Sequence, residues 1–233
     1  MQPISCRIVR TVIPSLLVFF ALALPAKGQL FLITSRPLVS GNDFINWAGA
    51  GPPFTFPANP FNINSFNGNT TSVGAPGGTL IRFDQGNPWN GNFAPGDALL
   101  DSDRPLFLTF ATPLFAAGAQ FQSDFFSPFT ARIEAFDAGN NSLGFFSENG
   151  VSNNKADNSA IFIGVGSPTQ NIKKISFSLT AVGGTPNDFA INRVELNSKS
   201  AIIPEGSSLA MMAAGGLPLL LIARRRFRVH WGT

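Results

Sequence analysis

The chain has 233 residues, of which only 12% are charged, and its formal net charge is +3. It contains 23 Gly, 18 Pro and 24 Phe but no Tyr. This length allows one domain, or two small ones, with a substantial hydrophobic core. The many aromatic residues argue against intrinsic disorder. The abundance of Gly and Pro argues against a helical bundle and favours a turn-rich β protein.

The basic residues are concentrated at the two ends of the chain. Seven of the 16 Lys and Arg residues lie in the first 28 or the last ten positions, whereas residues 29–203 carry nine basic and twelve acidic side chains. The central part is therefore mildly acidic, although the whole sequence has a pI near 9.5. A nucleic-acid-binding domain needs a basic patch on its folded surface, so this class of function is excluded.

Residues 1–28 have the three parts of a secretory signal peptide. Arg7 and Arg10 form a basic start, Val12–Leu24 is apolar, and small residues follow, with cleavage expected after Ala26 or Gly28. An uncleaved membrane anchor is the alternative, but the apolar run is short for the ~20 residues of a full span. We therefore expect export through the Sec machinery.

Cysteine and histidine are missing from the predicted mature body. The single cysteine, Cys6, precedes the apolar run of the signal and leaves with it, and the single histidine, His230, lies in the C-terminal tail. No disulfide can then stabilise the mature chain. Ser-His-Asp and Cys-His catalysis and zinc sites built on these residues are excluded as well.

The body, residues 29–200, is predicted to be an all-β, antiparallel β-sandwich. Up to about residue 78 it is dense in turn formers, with short strands expected near Phe44–Trp47 and Asn62–Phe66. Later segments such as Ile175–Leu179 alternate apolar and polar residues, which indicates strands with one buried face. Residues 137–141 predict a hairpin turn. The clearer strands, within residues 79–196, are Thr79–Phe83, Leu106–Phe110, Gly118–Ser123, Phe129–Phe136, Leu143–Glu148, Ala160–Val165, Ile172–Leu179 and Phe189–Leu196.

The C-terminal segment, residues 203–228, combines a polar motif, an apolar run and a basic cluster. Pro204 and Glu205 belong to the motif, and Leu209–Ala223 is a predicted transmembrane helix of roughly 22 Å, shorter than the ~30 Å hydrocarbon core. The basic cluster should stay cytoplasmic, so the body lies across the membrane. A short anchor beside a motif indicates a processing signal, and an ordinary C-terminal anchor is the alternative. The cluster consists of Arg224, Arg225, Arg226 and Arg228.

This segment resembles the PEP-CTERM sorting signal of exported bacterial proteins. In that family a Pro-Glu-Pro motif precedes one transmembrane segment and an Arg-rich end. Pro204 and Glu205 match the first two motif positions, and Gly206 replaces the second Pro. The resemblance implies an exosortase-like processing enzyme as a partner and a transient stay in the inner membrane of a Gram-negative-type bacterium. It also implies a final place on the outer surface or in the extracellular matrix, linked to exopolysaccharide.

Residues 79–196 resemble the jelly-roll or galactose-binding-like sandwich of many PEP-CTERM proteins. The resemblance lies in FTARIEAFDAGNNSLGFFS, IFIGVGSPTQNIKKISFSL and NDFAINRVEL. Asp188–Ile191 fits the Asp-Phe-Ala-Ile-Asp-like last strand of such domains, with Asn192 where Asp is common. The resemblance implies a jelly-roll-like fold, and it carries over no catalytic residue.

Oxygen ligands for Ca²⁺ are the candidate metal chemistry. Asp97, Asp101 and Asp103 are close in sequence, and in an extended segment Asp101 and Asp103 point the same way. Asp188 is a further candidate at the rim of the sandwich, as in similar jelly-roll domains. The alternative interpretation is that these are loop residues that form Asx-turns and caps.

Sugar binding would use exposed aromatic rings and neighbouring hydrogen-bonding groups. Trp89 lies in a polar, turn-rich loop with Asn90 and Asn92, which suits a ligand-binding loop. The alternative is that Trp89 folds back to cap the core.

The sequence leaves three functions open. The first is a non-catalytic cell-surface or matrix-associated protein that is sorted through its tail. The second is a carbohydrate-binding module with a structural Ca²⁺. The third, a carboxylate-only glycoside hydrolase, would need two of Glu134, Glu148, Glu195 or an Asp placed about a glycosidic bond.

Overall fold

The computed structural model describes residues 29–181 and 188–200. Within these ranges, no helix is long and apolar enough to cross a membrane. The predicted signal peptide 1–28 and sorting segment 203–228 lie outside the described residues. So do the sorting residues Pro204, Glu205, Arg224, Arg225, Arg226 and Arg228.

Strands and two short 3₁₀ helices make up the regular structure of the described chain. The 3₁₀ helices are Arg36–Val39 and Trp47–Ala50. The strands are β1 (Phe31–Ile33), β2 (Asp43–Ile45), β3 (Phe61–Asn64), β4 (Thr70–Gly74), β5 (Leu80–Gln85), β6 (Pro88–Trp89), β7 (Ala98–Ser102), β8 (Leu106–Leu114), β9 (Ala116–Ser123), β10 (Pro128–Phe136), β11 (Ser142–Val151), β12 (Ile161–Gly166), β13 (Ile172–Ala181), β14 (Phe189–Ile191) and β15 (Val194–Asn197).

The strands form two sheets, which confirms the predicted all-β sandwich. The larger sheet has the order β1-β12-β9-β14-β7-β5-β6, and β15 pairs with both β9 and β2. The smaller sheet has the order β11-β10-β13-β8-β4-β3. The described strand pairs are antiparallel except for β5 and β6, which are parallel.

Phe121 of β9 lies at the centre of the core between the two sheets. Its ring centroid is 4.4 Å from that of Phe189 in the same sheet. It is 6.4 Å from Phe177 and 5.9 Å from Phe129, which both belong to the smaller sheet. Aromatic pairs at these separations stabilise a packed core beyond their area burial, so this side chain joins the two layers.

The smaller sheet confirms the predicted alternation and the predicted hairpin. Along β10 every second residue from Phe129 to Ala135 is buried. The turn between β10 and β11 is closed by the Asp137 amide, which donates to the Asn141 carbonyl at 3.0 Å. Alternation of burial with a period of two shows that one face of this strand packs on the core.

Several predicted boundaries were wrong. The expected strand Phe44–Trp47 ends at Ile45, because Asn46 caps a 3₁₀ helix that begins at Trp47. The expected strand Phe189–Leu196 is two strands, β14 and β15, separated at Asn192 and Arg193. Asp101, expected in a loop, lies in β7, a strand that the sequence analysis did not predict.

Candidate functional site

The polar groups of the candidate site lie on the outer face of the larger sheet. All residues of β9 are buried, which means that both faces of this strand are covered. Ala119 and Phe121 belong to the main core. Because successive side chains of a strand point to opposite faces, Gln120 and Gln122 lie on the outer face, beneath the loops that cover it.

A cleft of about 890 Å³ opens on this outer face. We call it the polar cleft. Both 3₁₀ helices, β5 and the loops before β7 and β12 contribute to its walls. Its lining includes the side chains of Arg36, Arg82, Asp84, Asp97, Gln120 and Arg193.

Asn192 holds the floor of the polar cleft together. Its amide nitrogen donates to Asp97 Oδ2 at 2.9 Å and to Gln120 Oε1 at 2.6 Å. Its amide oxygen accepts from the Gln120 backbone at 3.1 Å and from Arg36 Nη2 at 3.3 Å. Gln120 Nε2 donates in turn to Asn158 Oδ1 at 3.0 Å. These side chains are therefore fixed before any ligand binds, which lowers the entropic cost of binding.

Each arginine of the polar cleft has a carboxylate partner. Glu195 Oε1 accepts from Arg36 Nη1 at 2.5 Å and from Arg193 Nη2 at 2.6 Å. Arg82 Nη2 lies 2.6 Å from Asp84 Oδ1. With Asp97 also present, positive and negative charges are nearly balanced. The cleft therefore offers charge-assisted hydrogen bonds without a large excess of either charge.

Two groups of the polar cleft keep hydrogen-bonding capacity for a ligand. Asn46 uses its side-chain oxygen to cap the Ala48 amide at 3.0 Å, and its NH₂ group has no partner among the residues described. The second carboxylate oxygen of Asp84 likewise has no partner there. The cleft thus presents one unused donor group and one unused acceptor.

An aromatic pair continues the polar cleft at Arg193. The Arg193 guanidinium lies 4.7 Å from the ring centroid of Phe44. Phe44 stacks on Phe66, with centroids 5.1 Å apart and rings 15° from parallel. The Phe66 side chain is 76% exposed, so its ring provides an exposed apolar surface stacked on Phe44.

A second cavity, of about 430 Å³, lies farther along the same sheet. We call it the acidic pocket, and it is lined by Asp101, Asp124, Asp188 and the rings of Phe83, Trp89 and Phe126. The sheet register explains how the carboxylates meet. Ala190 of β14 is paired with Asp101 of β7, and β14 begins directly after Asp188. The Asp124 amide, just after β9, donates to the Asp188 carbonyl at 3.1 Å.

Asp101 is the most unusual residue of the acidic pocket. It is 7% exposed, and its Oδ1 atom is buried without a hydrogen-bond partner among the described residues. Burial raises the pKa of Asp101 to about 8, and the carboxylates of Asp188, Asp124 and Asp103 add to the rise. Burial also raises the pKa values of Asp124 and Asp188.

The predicted metal residues lie in two different places. Asp101 and Asp188 line the acidic pocket together with Asp124, and Asp103 is near them, but its Oδ1 accepts from the Thr79 amide at 2.7 Å. Asp97 belongs to the polar cleft. In residues 29–181 and 188–200 no three Asp, Glu, His or Cys side chains are grouped as a metal site. Ca²⁺ binding therefore stays a prediction.

The predicted sugar-binding residues also differ in their environments. Trp89 and the exposed Asn90 line the acidic pocket. Trp89 is only 6% exposed and packs 6.2 Å from Phe83 and 6.5 Å from Phe93, measured between ring centroids, so most of this side chain belongs to a small core cluster. Asn92 is buried, and its Oδ1 accepts from Gln122 Nε2 at 2.9 Å and from the Asn153 amide at 2.7 Å.

The glutamates considered for hydrolysis are spread over both sheets. Glu134 in β10 pairs with Arg132 at 2.9 Å and Glu148 lies in β11, both in the smaller sheet. Glu195 belongs to the larger sheet. None of the three lines the polar cleft or the acidic pocket.

Several site residues were missed by the sequence analysis. Gln120 and Gln122 lie in a predicted strand, and their spacing of two could have placed them on one face. Asp124 follows that strand directly. Nothing in the sequence indicates that Arg36 and Asn192, 156 positions apart, share the floor of one cleft.

The comparisons with known proteins establish no family for the chain. No family model matches it, and no curated protein does. One solved structure to which the chain shows similarity is a DUF4465 family protein from Bacteroides caccae ATCC 43185, at 12% sequence identity. The match covers 73% of this chain and 100% of that protein, with a TM-score of 0.36.

Proposed function

We propose that this chain is an exported, non-catalytic bacterial protein that binds exopolysaccharide through the polar cleft. The single observation that carries the proposal is the pre-ordered network on the cleft floor, in which Asn192 fixes Gln120, Asp97 and Arg36. A saccharide presents many neutral donors and acceptors in a rigid array. A cleft of fixed polar groups suits such a ligand, since little order is lost on binding.

The charge balance and the aromatic pair support a saccharide more than a polyanion. Each of the three cleft arginines pairs with Glu195 or Asp84, and Asp97 balances the remaining positive charge. A strongly acidic polymer would therefore meet little net attraction, whereas hydroxyl groups would find charge-assisted partners. The exposed ring of Phe66 adds an apolar face stacked on Phe44, which in turn lies against the guanidinium of Arg193.

The sequence of the two ends supports the export and sorting part of the proposal. Residues 1–28 have the pattern of a cleaved signal peptide, and residues 203–228 resemble a PEP-CTERM signal with a transmembrane helix. The body, in our proposal, is jelly-roll-like. The protein is processed by an exosortase-like enzyme and then stays at the outer surface or in the extracellular matrix.

A glycan array probed with the exported product tests saccharide binding. Ala48 is exposed and lines the polar cleft, so Ala48→Trp should fill the cleft without disturbing the core and weaken binding by at least about tenfold. Ala138→Trp, at the exposed hairpin turn, is the matched control and should bind like the native chain. Equal binding by both variants, or no binding by the native chain, would contradict a saccharide site in the polar cleft. The protein would then have a purely structural role.

Mass spectrometry of the exported product tests the sorting proposal separately. We expect a mature protein that begins near residue 27 or 29 and ends close to Pro204 and Glu205, because both terminal signals are removed. An exported product that retains Arg224–Arg228 would show that the C-terminal segment is an ordinary anchor.

A further inference from the structure

The carboxyl groups that line the acidic pocket have no basic side chain beside them in the described part of the chain. Asp101, Asp124 and Asp188 line the pocket, and no Lys, Arg or His is among the described residues that do so. Bringing carboxylates together away from water is unfavourable unless a positive charge or hydrogen-bond donors compensate them. The pocket therefore favours a ligand that supplies both.

The Oδ1 atom of Asp101 is the clearest example of a group in this region that lacks a hydrogen-bond partner. The residue is more than nine-tenths buried, and this oxygen accepts no hydrogen bond within the described chain. The backbone of Asp101 is paired on both sides, with Ile81 of β5 and Ala190 of β14. A buried acceptor without a partner costs free energy, and a small apolar residue would fit this strand position at lower cost. We take this as a sign that a ligand completes the pocket.

The walls indicate what kind of cation fits. Phe83, Trp89 and Phe126 contribute ring surface to the pocket. Rings provide no ligand for a metal ion, whereas their negative faces attract organic cations. Ca²⁺ needs six to eight oxygen ligands, but an ammonium group needs only a few acceptors.

We propose that the acidic pocket binds the primary ammonium group of a small organic ligand of the amino-sugar class. The ammonium donates to the Asp101 carboxylate, which releases its own proton to solvent on binding, and neighbouring hydroxyls reach Asp124, Asp188 and the exposed Asn90. A cavity of about 430 Å³ is large enough for one sugar unit. This site is separate from the polar cleft and does not depend on its proposed function.

Calorimetric titration of the full-length chain with glucosamine, glucose and CaCl₂ tests the proposal. We expect glucosamine to bind about tenfold or more tightly than glucose, because only glucosamine carries the ammonium. Asp101→Asn keeps the side-chain shape and should lose about tenfold in glucosamine affinity. Asp103→Asn, which lies outside the pocket and keeps an acceptor for Thr79, is the control and should bind normally.

Two further variants keep the result interpretable. Phe126 is half exposed, so Phe126→Ala should fold and weaken glucosamine binding even if Asp101→Asn does not fold. Ala48→Trp in the polar cleft should leave glucosamine binding unchanged, which separates this site from the proposed exopolysaccharide site. Equal affinity for glucose and glucosamine would overturn the proposal, and so would Ca²⁺ binding that excludes glucosamine.

Discussion

Arg36 Nη1 donates to Glu195 Oε1 at 2.5 Å although 159 positions separate the two residues in the chain. This ion pair ties the first 3₁₀ helix to β15 at the edge of the polar cleft. Glu195 is largely buried and also pairs with Arg193 at 2.6 Å. One carboxylate therefore orients two of the three arginines of the cleft.

Glu195→Gln should destabilise the protein and loosen the cleft. The substitution keeps the size of the side chain but leaves Arg36 and Arg193 without their shared carboxylate. We expect the free energy of unfolding to fall by about 2 kcal/mol, measured by urea denaturation. Glu134→Gln is the matched control, because the Arg132–Glu134 pair is more exposed, and it should cost less than about 1 kcal/mol. Equal losses would contradict the structural role of Glu195.

Asn92→Ala should destabilise the protein far more than Asn90→Ala. Asn92 is 1% exposed, and its removal takes one hydrogen bond each from Gln122 and Ser159 and leaves the Asn153 amide without its acceptor. We expect a loss of about 3 kcal/mol in a thermal or urea unfolding measurement. Asn90 is exposed, and its substitution should change stability by less than about 0.5 kcal/mol. A mild effect of Asn92→Ala would show that this side chain does not organise the loop.

The stability of the protein should fall as the pH rises from about 4 to 8. Asp101 has a pKa of about 8 in the folded state and an ordinary value of 3.8, so between these values the folded state binds more protons than the unfolded state. The contribution of Asp101 to the free energy of unfolding is fully present below the lower pKa and is lost as the pH rises through the upper one. Between the two pKa values, the free energy of unfolding falls by up to about 1.4 kcal/mol per pH unit. The raised pKa values of Asp124 and Asp188 act in the same direction.

Asp101→Asn should flatten this pH dependence, because Asn does not titrate. Urea unfolding across this pH range, on the native chain and the variant, provides the measurement. The variant should exceed the native chain in stability most strongly near pH 8. A variant whose stability depends on pH in the same way as that of the native chain would contradict the burial of Asp101.

Gly118→Ala should disrupt the contact between β9 and β12. A methyl group at Gly118 would lie 2.7 Å from the Gly164 Cα and 2.8 Å from Phe162 Cε1, which is too close for either to remain in place. We expect a loss of about 2 kcal/mol from overpacking. Gly49→Ala is the control, since the nearest atom there, Ile63 Cδ1, is 3.4 Å away. Circular dichroism melting of both variants gives the comparison.

Strands could be predicted from the sequence where buried and exposed residues alternate along the chain. The β10–β11 hairpin and the strands around Phe121 and Phe177 were predicted from period two and from turn residues, which are local signals. The strands β1, β4, β6 and β7 were missed. They are short, and they are fixed by pairing with β12, β8 and β5 rather than by a pattern of their own.

The candidate site was predictable only in part, because many of its contacts join residues that are far apart in the chain. Asp101, Asp188, Trp89 and Asn90 were selected by residue type, and the fold places them around one pocket. The polar cleft was not predicted. Its central residue, Asn192, interrupts an apparent strand, and its partners come from distant parts of the chain. Contacts of this kind depend on which distant strands become neighbours in the sheet, which local sequence patterns do not show.

Hydrogen–deuterium exchange of the full-length chain, with and without oligosaccharide fragments of the producing bacterium's exopolysaccharide, tests the central proposal most directly. The exopolysaccharide account predicts slower exchange on ligand addition around the walls of the polar cleft, at residues 46–48, 82–84 and 158–162. The same additions to Ala48→Trp should give no protection there. Protection confined to other surfaces, or none at saturating oligosaccharide, would contradict a saccharide site in the polar cleft.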